Sequence, residues 1–442
     1  MKALRSVIAG LCVLIISFQL ASCQSAGRGY SISHDTKKAL PPPARKGELT
    51  DEEMNLARVA WRYFENNYQP ATGMVNAVDQ YPSTTMWDTA SYLAGLVSVY
   101  ELGIITGTTF HDRLSKLLQT FQKLSLFQDE LPNKAYDTTT AEKVDYANHP
   151  GEIGFSAIDL GRLLIWLKII KGRYPAYAPE INRFVDRWNF EHVLDRHGTM
   201  YGAKIDANGQ VQYLQEGRLG YEEYAAKGFQ LWSHDTRLAS MLEPYDFVEI
   251  YGIEIPFDTR DPRKFGAHNY VVSESFILDG IEFNWDNVSY RGSTETKPIE
   301  PLMAQFAERI YKVQEARYRY TGLFTARTEH QLDGPPYFVY DTIYCDGYPW
   351  NTITEDGRYV PQFAAVATKG ALGLWVLWRT PYTDQLYRLV KSLYEPDKGF
   401  YEGQFEKSKK FINAFTANNN GIILETLLFK VQGELLKSGN RS

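Results

Sequence analysis

Cysteine is scarce, with only Cys12, Cys23 and Cys345 in 442 residues. That leaves no Cys pair of the kind that holds structural zinc. The eight histidines are scattered, and no His-Glu-x-x-His occurs, so the usual zinc-hydrolase helix is absent. There is no Gly-x-Ser-x-Gly elbow, no Walker loop and no Gly-x-Gly-x-x-Gly after a strand. No acidic loop has the alternating oxygen spacing of an EF-hand. We therefore expect no metal and no cofactor. Long basic blocks are missing too. With 47 basic against 53 acidic residues the net charge is −6, which speaks against nucleic acid as a partner. Aromatic residues, by contrast, reach 14%, with 30 Tyr and 9 Trp. A large core would need them, and so would a surface that stacks rings on sugars.

The N-terminus is basic at Lys2 and Arg5, apolar from Val7 to Phe18, and then reads Leu20-Ala21-Ser22-Cys23. A charged start, a short apolar run and small residues before a cut site describe a secretory signal peptide. The run is short for a membrane span. Leu-Ala-Ser-Cys resembles the lipobox of bacterial lipoproteins. That resemblance implies a signal peptide over 1–22, a lipid on Cys23 and a membrane anchor through that lipid. Gln24 rather than Asp resembles outer-membrane sorting, so the expected place is the cell envelope, on the periplasmic side. Only Cys345 is then left as a thiol, and stability must come from a core rather than a disulfide. Residues 23–47 are polar and end near Pro41-Pro42-Pro43, which reads as a partly stiff tether. No later break of that kind occurs, so 48–437 is expected to be one domain.

Within that domain a pair of elements recurs. Thr50-Asp51-Glu52-Glu53 is a capping box, and Met54, Ala57, Trp61 and Phe64 follow at helical spacing. After a turn at Gly73-Met74 comes a more apolar segment from Trp87 to Val97. Further amphipathic members are expected at 110–126, 178–194, 300–320 and 382–394. Their apolar partners begin near Asp88, Glu152, Glu222, Glu274, Gln362 and Asn418. Helices apolar all round belong inside, and those with one stripe lie outside. The pattern predicts an all-α (α/α)6 toroid of six inner and six outer helices, with long loops at one rim. An α-solenoid is the competing arrangement, but these repeats vary too much in length for one.

In a closed ring all inner helices start at the same rim, so Asp88, Glu152, Glu222, Glu223 and Glu274 would face a shared cavity. Each could instead be capping its own helix, although Ser or Thr would do that as well. Carboxylates meeting in an aromatic cleft are what glycoside hydrolysis requires: one acid for the leaving oxygen, one carboxylate for water or direct attack. Neighbouring negative charge keeps one of them protonated near neutral pH. Arg218 and Tyr221 flank the densest of these starts. A second dense stretch, Pro335 to Thr352, is too proline-rich for a helix and reads as a loop over the rim. There Asp341 could join the carboxylates, and Tyr348 and Trp350 could stack on pyranose faces.

Several motifs resemble the bacterial domain-of-unknown-function family 3131. They are Trp87-Asp88-Thr89-Ala90-Ser91-Tyr92-Leu93, the stretch Gly220 to Gly228 beginning Gly-Tyr-Glu-Glu-Tyr, Val272 to Glu282, Tyr337 to Thr342, and Pro349-Trp350-Asn351-Thr352-Ile353. The likeness covers about 50 to 430. More distantly, the Asp88 motif resembles the first inner helix of glucoamylase-like (α/α)6 glycoside hydrolases, including the beta-1,2-glucanases. That resemblance implies a cleft-lining carboxylate at Asp88; no matching motif carries Glu222, Glu223 or Glu274.

The reading that results is an inverting glycoside hydrolase of the envelope, acting on a bacterial polysaccharide or glucan. Asp88 and Glu222 are the first-choice pair, with Glu223 and Glu274 as further catalytic candidates. Glu152, Trp87, Arg218, Tyr221, Asp341, Tyr348 and Trp350 are substrate contacts. Two alternatives remain open at this point. One is a non-catalytic glycan-binding or scaffold lipoprotein in polysaccharide export. The other is a lyase using Tyr221 and Arg218.

Overall fold

The computed structural model describes residues 44–242, 244–265, 268–285 and 301–437. The expected signal peptide, Cys23 and most of the tether lie outside the described residues. The tether's last residues are already part of the domain. Arg45 is buried, donates to the Trp378 carbonyl at 2.7 Å and pairs with Asp384 at 2.7 Å.

Six buried helices form the inner layer. They are α2 (Met86–Glu101), α4 (Ala157–Arg173), α6 (Tyr221–Leu231), α8 (Glu274–Phe283), α10 (Thr368–Leu377) and α12 (Ala417–Gln432). Every residue of α8 and α10 is buried, as expected for helices without a polar face. Each inner helix packs on the next, and α12 packs back on α2. The ring is closed, and an open superhelix is excluded. One hydrophobic core runs through all six.

The outer layer is built from amphipathic helices: α1 (Asp51–Asn66), α3 (Gly107–Lys123), α5 (Ala178–Val185), α9 (Pro301–Thr321) and α11 (Pro381–Val390). The capping box of α1 forms as read, with the Thr50 hydroxyl accepting from the Glu53 N–H and Glu53 accepting from the Thr50 N–H. Between α6 and α8 the sixth outer helix is reduced to one turn. There, besides the one-turn α7 (Pro262–Phe265), the chain forms a hairpin, Tyr245–Ile250 against Ile253–Asp258. Tyr251 and Gly252, both at positive φ, make the two-residue turn such a hairpin favours. Tyr245 and Phe247 pack their rings on Phe306 of α9.

Two inner helices start later than their sequence pattern suggests. Residues 152–156 are not helical. Gly154 has φ +110, and a Cβ there would collide with the Ala203 carbonyl, so the chain passes extended until Ser156 caps α4. Likewise Ala365–Ala367 is a strand, paired with Gly403–Phe405, and α10 begins only at Thr368. The Pro335–Thr352 stretch is not a plain loop either. Its strands Phe338–Asp341 and Thr352–Ile353 form one sheet with Glu329–Gln331.

The close approach of α4 and α6 explains one glycine. A Cβ on Gly161 of α4 would lie 2.5 Å from the Ala225 carbonyl oxygen of α6. Gly161→Ala is therefore expected to destabilise the protein by about 1–3 kcal/mol through overpacking, measured as a lower midpoint in urea unfolding.

Candidate active site

The inner helices deliver their first residues to one rim. Thr85 caps α2, accepting from the Asp88 N–H at 3.1 Å, and its hydroxyl donates to Asp88 Oδ2 at 2.8 Å. Ser156 does the same for Asp159 on α4, with both distances 3.1 Å. Capping thus fixes where both carboxylates sit without burying them completely. From α8 comes Glu274, which binds Lys369 of α10 at 2.5 Å. Glu274 also accepts from Thr328 at 3.0 Å and from Asn418 of α12 at 2.8 Å. Asn418 in turn accepts from the Trp87 indole at 3.0 Å. Helices α2, α8, α10 and α12 are thereby joined around one point. The Arg162 guanidinium of α4 lies 4.8 Å from the centre of the Trp87 ring.

Two carboxylates come from outside the helices: Glu329 from a strand and Glu402 from the bend just before Gly403–Phe405. Glu329 accepts from the Tyr221 hydroxyl at 2.6 Å, and Glu402 is held by the Thr416 hydroxyl. The group is crowded with negative charge. Burial pushes Glu329 up to about 8, helped by Glu274 and opposed by Lys369. Burial likewise lifts Asp159 to about 7, with Glu216 and Asp88 adding to it. Glu402 reaches about 7, again from burial, against the pull of Lys369. Asp88 is raised by burial, while Thr85, Lys369 and Arg162 hold it down. One rim therefore offers carboxyls that keep a proton near neutral pH beside Asp88, whose upward shift Lys369 and Arg162 restrain, an asymmetry that acid–base chemistry can use.

Aromatic rings continue from this floor. Trp87 meets Tyr221 edge-on at 5.8 Å, Tyr221 meets Tyr270 at 6.1 Å, and Tyr270 stacks on Tyr340 at 4.2 Å. Tyr146 is exposed, yet its hydroxyl feels Asp159 and Glu216. Trp87 and Tyr221 are buried, whereas Tyr270, Tyr340 and Tyr146 reach solvent and suit a pyranose face.

The residues singled out from sequence fall into two groups. Asp88, Glu274, Trp87 and Tyr221 meet at the rim. The others keep different company. Glu222 pairs with Arg260 at 2.8 Å and accepts from Gln215, and Glu223 caps its own helix, accepting from the Gly220 N–H at 2.7 Å. Arg218 donates to Asn269 and Gln215. Glu152 pairs with Lys143 in an outer groove that also holds Lys116 and Lys123. Asp341 is buried against Arg327 at 2.8 Å. Trp350 is stacked by Arg317 and Arg327, and Tyr348 is exposed. Sequence reasoning missed Asp159, Glu329, Glu402 and Lys369. Ser156-Ala157-Ile158-Asp159 is a capping pattern before an apolar run, and Lys369 is a lone charge in an apolar helix. Both were findable signals; Glu329 on its short strand and Glu402 in the bend before one carried none.

Residues 55–433 match the family described as "Protein of unknown function (DUF3131)". The chain belongs to this family. By sequence it matches no curated protein. Its fold is that of the glucoamylase-like (α/α)6 toroids. The endo-beta-1,2-glucanase of Chitinophaga pinensis, in complex with sophorotriose and glucose, superposes with a TM-score of 0.62 at 12% identity, over 89% of this chain and 95% of that one. The endo-beta-1,2-glucanase of Talaromyces funiculosus with sophorose gives 0.55 at 10% identity, over 88% and 84%. The glucoamylase of Saccharomycopsis fibuligera gives 0.53 at 11%, over 88% and 98%. Across such distance the likeness establishes the toroid, and the site must be argued from this DUF3131 chain's own residues.

The raised carboxyls have a consequence for stability. An unfolded glutamate releases its proton near pH 4.5, whereas folded Glu329 keeps it to about 8. Between those values the folded state binds the extra proton, so stability falls as pH rises through that window. It is fully present below the lower value. Thermal unfolding of Glu329→Gln is expected to decline less steeply than wild type from about pH 4.5 to 8, because glutamine removes that proton from the balance.

Proposed function

We propose that this protein is a lipid-anchored glycoside hydrolase acting on a glucan by an inverting mechanism. Glu329 is the general acid. Its carboxyl, lifted to about 8 mainly by burial and held by Tyr221, carries a proton for the leaving glycosidic oxygen at neutral pH. Asp88 is the base. Lys369 and Arg162 draw it toward its charged form, and Thr85 fixes its direction. Asp159 lies beside it and adjusts both. Glu329 and Asp88 each feel the Glu274–Lys369 ion pair. Inversion requires the two carboxyls to stand roughly 6.5–9.5 Å apart, leaving room for a water. Tyr146, Tyr270 and Tyr340, which reach solvent, supply the stacking faces.

The observation that carries this reading is the gathering of Asp88, Glu329 and Glu402 around Lys369 at the aromatic rim of a ring shared with beta-1,2-glucanases. A lyase is disfavoured, because an acidic sugar would meet a surplus of carboxylates and Arg218 is engaged elsewhere. The test is incubation of the purified protein with beta-1,2-glucan and related bacterial glucans. New reducing ends of inverted anomeric configuration support it. Glucan binding without new reducing ends would replace it with the scaffold reading.

The lipid on Cys23 and an outer-membrane, periplasm-facing position belong to the same proposal. Labelled palmitate should enter the wild-type protein and not Cys23→Ser.

A further inference from the structure

Where the loop before α8 meets the strand pair Tyr344–Cys345/Tyr348–Pro349, three donors of different chemistry converge. The His268 Nδ1 lies 2.5 Å from Asp346 Oδ2. With the Cys345 thiol, one ligand atom from each residue lies within 4.8 Å of the other two. The backbone sets this up. The Val271 N–H donates to the Tyr344 carbonyl at 2.9 Å, and the Ile343 N–H donates to the Val271 carbonyl at 2.8 Å. Asp346 and Gly347 both have positive φ and form the turn of the strand pair. On the far side of the imidazole, a Cβ on Gly357 would lie 2.6 Å from Cε1 and Nε2, so the absence of a side chain there makes room for the ring.

We propose that His268, Cys345 and Asp346 bind one divalent cation of the zinc class, with water completing the shell. The donor set decides the class. A thiolate and an imidazole suit zinc, whereas calcium and magnesium take oxygen ligands. Zinc bonds of about 2.0–2.3 Å place tetrahedral donors roughly 3.3–3.8 Å apart, so His268 and Asp346, 2.5 Å apart, part by about an ångström to admit the ion, and a donor at the 4.8 Å limit closes in by about as much. Burial and the adjacent Asp346 carboxylate both hold Cys345 in its thiol form. A coordinated cation reverses that: the thiol proton leaves to solvent and the thiolate charge is neutralised. The cation clips the 268–271 segment to the strand pair and so steadies the entry to α8, which carries Glu274. This site stands apart from the carboxylate group and does not depend on the hydrolase reading.

The experiment is a titration of the detergent-solubilised full-length protein with Co2+ and Zn2+ after chelator treatment. One Co2+ per chain is expected, with thiolate-to-cobalt charge-transfer absorption that disappears in Cys345→Ser. His268→Ala should bind at least about tenfold more weakly, the lower bound for losing even a supporting group. Zn2+ should raise the unfolding temperature of wild type and not of His268→Ala. Absence of the charge-transfer absorption in wild type, its persistence in Cys345→Ser, or equal affinity in His268→Ala would each overturn the site.

Discussion

Glu329→Gln is expected to slow glucan hydrolysis by about 10²–10⁴-fold, the usual contribution of a positioned proton donor. The side chain keeps its shape and can still meet the Tyr221 hydroxyl, so KM should change little. The loss should fall on kcat, because the missing interaction belongs to the transition state. Two further readouts separate an acid from a merely structural glutamate. With a nitrophenyl glycoside, whose leaving group needs no proton, Glu329→Gln should recover most of its rate while Asp88→Asn should not. The alkaline limb of the pH–rate profile, expected near the value of about 8 that burial and Glu274 give Glu329, should vanish in Glu329→Gln. Persistence of that limb, or equal losses on activated and natural substrates, would move the acid role to Asp159, whose carboxyl burial lifts to about 7.

How much of this was readable before any coordinates depended on what kind of element carried each residue. Helix periodicity and apolar content separate inner from outer layers without reference to partners, so the ring could be inferred from Trp87–Val97, Glu274–Leu278 and their equivalents. Boundaries failed where a strand intervenes. Gly154 and Ala365–Ala367 look apolar enough to extend a helix, yet Gly154 lies against the backbone at Ala203 and Ala365–Ala367 pairs with Gly403–Phe405. The site was half legible for a related reason. A charge at a helix start is visible in the sequence, but its direction is not. Asp88 and Glu274 turn to the shared rim, whereas Glu222 finds Arg260, 38 positions further along, and Glu223 folds back on Gly220. Glu329 sits on a three-residue strand, where no periodic pattern marks it out. The His268, Cys345 and Asp346 cluster was invisible because its donors are split across two distant segments.

Arg162→Met is expected to cost about 3–5 kcal/mol of stability, the loss typical when one partner of a buried ion pair is removed. The reason lies beneath the rim. Arg162 binds Glu425 at 2.6 Å and lies 3.8 Å from Glu282, and all three side chains are fully buried. Glu282 also accepts from the Trp166 indole at 2.9 Å and from the Tyr224 hydroxyl at 2.8 Å. One guanidinium thus serves two carboxyls, and burial raises both of them. Removing the cation leaves the pair with no counter-charge. Replacing the Arg162–Glu425 pair together, as Arg162→Met with Glu425→Leu, should restore most of the lost stability, since apolar substitutes for a buried pair are often neutral or better. Activity should not return with it. Arg162 also lies against Trp87 and helps hold Asp88 in its charged form against burial. In the stable double variant the carboxyl of Asp88 therefore rises, and the acid limb of the pH–rate profile shifts to higher pH. Chemical denaturation of the three proteins alongside their pH profiles would separate the two roles. A double variant with wild-type stability and an unshifted acid limb would confine Arg162 to the core.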